Sequence, residues 1–187
     1  MSLAPVVTFW DKELNQQIGT PELDKWHVKA EDGTDAVKAG DTSEVLNLRI
    51  WNNKGETVQR ASKMQECRLY IVDHAGNRGI DAAPIAKDGW LWARCEHLDA
   101  EFIQIHENEM LPFYGQDSLP TSLEVGAVGL SEDDFDSIGG EVNGGQESDN
   151  ENYSDVDLYF KPSNDPHIGI ATHGPKDFKI VVEYFYV

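Results

Sequence analysis

Short runs in which apolar and polar residues alternate dominate the chain, and a period of two is the signature of strands with one buried face. From Val45 to Trp51 the order VLNLRIW sets Leu46, Leu48 and Ile50 on one face, with Asn47 and Arg49 on the other. Cys67 to Val72 places Cys67, Leu69 and Ile71 together, and Phe102 to His106 does the same for Ile103 and Ile105. Trp90 to Cys95 alternates Trp90, Trp92 and Arg94 against Leu91, Ala93 and Cys95. Val156 to Phe160 and Phe178 to Tyr186 close the chain in the same manner. The punctuation is turn chemistry: Glu31-Asp32-Gly33, Ala39-Gly40-Asp41, Asn52-Asn53-Lys54-Gly55 and Asp73-His74-Ala75-Gly76-Asn77 supply residues that tolerate positive φ. Helical periodicity is weak, and a turn or two is predicted only within Glu56 to Gln65 and Thr34 to Lys38. Many short strands between frequent turns predict an all-β antiparallel sandwich, Ig-like or jelly-roll-like, with a small barrel as the alternative. At 187 residues the chain reads as one domain, 1–187.

Composition narrows the class. With 40% hydrophobic residues the chain can bury a core that needs neither disulfides nor a metal. Cys67 and Cys95 lie in strand-like apolar runs and read as reduced, buried small hydrophobes. No basic segment followed by an apolar run opens the chain, and no stretch approaches the ~20 apolar residues of a membrane span, so neither export nor a membrane partner is expected. Thirty-four acidic residues against fifteen basic ones give a net charge of −19. Such a surface repels phosphate backbones, and Lys and Arg are scattered singly, so nucleic acid is not an expected partner. Acids concentrate from Ser131 to Asp157, where no base occurs and Gly139-Gly140 and Gly144-Gly145 are embedded. Residues 131–155 therefore read as a long acidic excursion from the sandwich.

Few constellations carry chemistry. Asp134-x-Asp136-x-Ile138-Gly139 begins like an EF-hand loop, but Ile138 fails as a ligand and Gly145 stands where the bidentate acid belongs. An irregular calcium site built from Asp133, Asp134, Asp136 and Asp149 remains beside the plainer reading of a solvated charge run. Cys95, His97, His106, His167 and His173 lack the spacing of structural zinc sites, and neither HExxH nor an H-x-H strand occurs. The G-x-S-x-G elbow and the phosphate-cradling glycine loops are absent as well. Carboxylate pairs are too abundant for any one of them to be informative. Trp90 and Trp92, two apart, would project from one strand face. Exposed, they would form a stacking platform for sugar rings; buried, they are sandwich core, the reading their apolar area favours. Trp10, Trp26 and Trp51 follow strand patterns and read as core or core rim.

The order PVVTFWD, then KAGDTSEVLNLRIWNNKG, then MQECRLYIVDHAGN resembles a group of bacterial phage and prophage structural proteins associated with tails, baseplates and related virion parts. IGGEVNGG, ENYSDVDLYFKPSNDP and FKIVVEYFYV extend that resemblance, so that it spans Pro5 to Val187. The matching residues mark turns and strands rather than catalytic groups, and the acidic density from Ser131 to Asp157 departs from the group. The resemblance implies a non-enzymatic structural component without a cofactor, made in the bacterial cytoplasm and assembled into a phage or prophage particle. Its partners would be other virion proteins or copies of itself, met through sheet edges and loops. The alternatives are a carbohydrate-binding module using Trp90 and Trp92, and a hydrolase whose carboxylates the pattern does not single out.

Overall fold

A computed structural model describes residues 4–52, 54, 62, 64–96, 101–106, 109–113, 140–142, 153–167 and 174–186. Its strands are β1 (Val7–Asp11), β2 (Gln16–Gly19), β3 (Leu46–Asn52), β4 (Met64–Asp73), β5 (Leu91–Cys95), β6 (Ile103–Ile105), β7 (Leu111–Pro112), β8 (Gly140–Val142), β9 (Tyr153–Phe160) and β10 (Phe178–Phe185). Six form one sheet in the order β2-β1-β3-β9-β5-β6, and β10-β4-β7 form the other, with β8 also pairing with β4. Every pairing is antiparallel. The protein is an all-β sandwich, as the alternation predicts.

The period of two sets the core. In β3, Leu46, Leu48 and Ile50 point inward while Asn47, Arg49 and Trp51 point out. The neighbouring β9 buries Ser154, Val156, Leu158 and Phe160 beneath the same sheet. Cys67, Leu69 and Ile71 of β4 and Ile180 of β10 meet them from the facing sheet, with Phe9, Phe113 and Leu23 filling the ends. A fully buried Leu, Ile or Phe contributes ~1.5–3 kcal/mol, so this cluster is the main source of stability. Cys67 and Cys95 are buried within it, as expected, and form no disulfide.

The short irregular elements differ from expectation. Thr34 to Lys38 forms no helix. Of the other expected helical turn, residues 56–61 and 63 lie outside the described residues, and Met64 and Gln65 open β4 instead. A 3-10 turn at Gly79–Asp81 and the helix α1 (Pro84–Lys87) were not anticipated. Pro84 suits the first turn of α1 because its missing N–H has no helical partner to lose there. Four residues are too few to display a helical period, although Ile85 and Ala86 are buried.

One side of the sandwich is stitched at Leu23. Leu23 forms a bridge with Gly19 at the end of β2 and another with Ile180 of β10. Its N–H donates to the Ile180 carbonyl at 2.9 Å and its carbonyl accepts from the Ile180 N–H at 3.0 Å. Gly19 permits the tight return, since a Cβ there would overlap the Glu22 carbonyl and the Leu23 backbone. On the opposite side, β6 and β7, consecutive in the chain, belong to different sheets.

Candidate functional site

Residues on the outer face of the six-stranded sheet form an ordered strip. Alternation in β9 sends Tyr153, Asp155, Asp157 and Tyr159 outward, opposite Trp51, Arg49 and Asn47 of β3 and Arg94 and Trp92 of β5. The middle of the strip is ionic. Arg49 donates from Nε and Nη2 to the two carboxylate oxygens of Asp155 at 2.6 and 2.8 Å. Lys12 Nζ reaches Glu96 at 2.7 Å and Asp155 at 3.1 Å. Arg94 Nε donates to Asp157 Oδ2 at 2.8 Å. Three cations thus face three carboxylates, and the long basic side chains leave Asp155 and Asp157 only 4% and 3% exposed on an outer face.

The two aspartates respond oppositely to burial. Desolvation would raise the pKa of Asp155, but the hydrogen bonds from Arg49 and Lys12 outweigh it and hold the carboxyl below its ordinary range. Asp157 has one arginine, and burial together with the neighbouring Glu96 carboxylate pushes its pKa up despite Arg94. Its Oδ1 is buried and has no hydrogen-bond donor among the described residues.

Aromatic clusters flank this ionic centre. At one end Trp51 and Tyr153 lie 4.8 Å apart, with the Arg49 guanidinium 3.8 Å from the Tyr153 ring and Lys54 Nζ 3.7 Å from that of Trp10. At the other end Trp92 and Tyr159 are almost parallel, 5° between planes with centroids 6.0 Å apart. Phe102 meets Tyr159 edge-on at 4.9 Å, and the Arg94 guanidinium sits 4.8 Å from the Phe102 ring. Tyr153 and Tyr159 are six residue steps apart along β9, a span of ~20 Å at the usual rise.

The structure divides the tryptophan pair. Trp92 belongs to the outer face, but Trp90 is 4% exposed and part of the core. It precedes β5, and its carbonyl accepts the Lys161 N–H at 2.7 Å. Strict alternation does not extend back to it, so the expected platform of two rings is corrected to Trp92 with Tyr159 and Phe102. Trp10 and Trp51 are half-buried on the outer face, and Trp26 packs against Phe160 and Phe178 at the core rim. Asp133, Asp134, Asp136 and Asp149 lie outside the described residues, as do His97 and His173. Among the described residues no group of three or more His, Cys, Asp or Glu is arranged to hold a metal ion. Asp155 and Asp157, counted with the acidic run in the sequence, are strand residues. The signal that finds them is the order S-D-V-D-L-Y, whose alternation matches that of Arg49 and Arg94.

A second surface lies at the edge of β10. Ile180 directs its main-chain groups outward to Leu23, and alternation turns those of Val182 the same way, before the register with β4 shifts between Glu183 and Phe185. Among the described residues nothing pairs with that stretch. Phe185 and Tyr186, at its end, are 61% and 52% exposed.

No family model matches the chain, nor does any curated protein or solved structure. No helix among the described residues is long and apolar enough to cross a membrane.

Proposed function

We propose that the protein is a non-enzymatic assembly component that joins a partner chain along the open stretch of β10. The observation that carries this reading is the conjunction of main-chain groups at Val182 that pair with nothing among the described residues and the exposed rings of Phe185 and Tyr186. A strand edge supplies affinity through main-chain hydrogen bonds, and alternating side chains supply specificity. The ionic strip adds support, since Asp155 and two of its cationic neighbours are engaged with one another rather than directed at a substrate. The resemblance of the strand and turn order to phage and prophage structural proteins makes another virion protein, or a second copy of this chain, the partner. The location that follows is a phage-like particle assembled after synthesis in the bacterial cytoplasm.

The test is a Phe185→Lys/Tyr186→Lys variant, followed by particle fractionation after prophage induction. Both side chains are exposed, so the fold should survive with a stability change within about 0.5 kcal/mol, while lysine blunts the edge against pairing. The unmodified protein is expected in the particle fraction and the variant in the soluble lysate. Equal distribution of the two, or an unmodified protein found only in the soluble lysate, would overturn the proposal.

A further inference from the structure

We infer that the Trp92–Tyr159–Phe102 corner of the six-stranded sheet, with Arg94, is a binding site for a neutral polysaccharide. This site is independent of the β10 edge. Trp92 and Tyr159 are directly opposed in the β5–β9 register, and Phe102 immediately precedes β6, the strand paired with β5. All three rings are half-buried, so each offers part of its apolar surface to solvent. Because Trp92 and Tyr159 stand on hydrogen-bonded strands rather than loops, most of the array is formed before a ligand arrives.

The polar neighbours are suited to hydroxyl groups. Arg94 spends Nε on Asp157, its side chain is 42% exposed, and its two Nη nitrogens have no partner among the described residues. Gln104, opposite Trp92 across β5–β6, donates Nε2 to the Gly89 carbonyl at 2.8 Å and keeps its own carbonyl oxygen as an acceptor. An aromatic surface beside fixed donors and acceptors matches a sugar ring, which has apolar C–H faces and a hydroxyl rim.

Charge and backbone geometry exclude the rivals. A net charge of −19 disfavours polyanions, nucleic acids included. The local balance of three cations and three carboxylates offers little to a polycation. β5 and β9 lie inside the sheet, paired on both sides, and the edge strand β6 is only three residues long, so an extended peptide finds few main-chain groups to join there. The second aromatic cluster, ~20 Å along β9, lies on the same face and within reach of an extended chain. A polymer is therefore favoured over a monosaccharide.

Affinity electrophoresis of the full chain through gels containing soluble β-glucan, xylan or galactomannan tests the site. At least one polymer should retard the protein, and Trp92→Ala should weaken that interaction roughly tenfold, the loss of one stacking ring. Phe185→Lys/Tyr186→Lys should be retarded like the unmodified protein, which separates this site from the edge. In the unmodified protein, the same polymer should protect Trp92 from oxidation by N-bromosuccinimide, read by peptide mass spectrometry. No retardation by any of the three polymers, unchanged retardation of Trp92→Ala, or oxidation of Trp92 at the same rate with polymer present would each overturn the inference.

Discussion

Asp155 and Asp157 sit two residues apart on one strand face, yet their environments set opposite linkages between protonation and folding. The pKa of Asp155 is lower folded than unfolded, so its contribution is fully present above the unfolded value of ~3.9 and is lost as pH falls through the folded value. The pKa of Asp157 is higher folded than unfolded, so its contribution is present below the unfolded value and is lost as pH rises through the folded one. At neutral pH Asp155→Asn should cost about 3 kcal/mol, because Arg49 and Lys12 lose the charge they surround. Asp157→Asn should cost less than ~1 kcal/mol, because relief of the unfavourable ionisation offsets the weakened bond to Arg94. Thermal melts from about pH 3 to pH 7 check both. The acid-side loss of stability should be shallower in Asp155→Asn than in the unmodified chain, and equal slopes would contradict the assignment. These residues were visible in the sequence only as part of a charge run, because counting acids does not reveal that Arg49 and Arg94 stand opposite them. Trp90 shows the converse. Its spacing from Trp92 is regular, but periodicity does not mark where strand pairing begins.

At the level of elements, length decided what was legible. β3, β4, β9 and β10 span seven to ten residues and display their period plainly, whereas β2, β7, β8 and α1 span two to four. A run of that size cannot distinguish alternation from accident. Strand order was also hidden: β9 joins β3 to β5 although about a hundred residues separate it from β3, and no local pattern records that pairing. Its central place predicts a large penalty for truncation. Leu158→Ala should cost about 3 kcal/mol in urea unfolding, against less than ~0.5 kcal/mol for Leu14→Ala, whose side chain is 71% exposed. Similar costs for both would mean that β9 does not lie at the centre of the sheet. The open stretch of β10 was foreseen only as a general role for edges, since which edge stays open depends on where Leu23 lands.

Across the whole molecule the dominant quantity is a net charge of −19, which favours expansion through self-repulsion. Screening should therefore stabilise the fold. Raising ionic strength from about 0.01 to 0.15 M shortens the Debye length from ~30 to ~8 Å and should raise the melting temperature by a few degrees. A decrease would mean that the ionic strip, which salt weakens, outweighs the global repulsion. The sandwich itself followed from alternation and turn chemistry, while the stitch at Leu23 did not, because GTPELDKW carries no strand pattern. That stitch has a consequence in time. A residue in a segment between strands ordinarily exchanges its amide proton as fast as the segment moves. The Leu23 and Ile180 amides are each other's partners across the seam, so both protons wait for β10 to part from the Gly19 corner. Their shared exchange rate is a clock for the opening of the sandwich along this side.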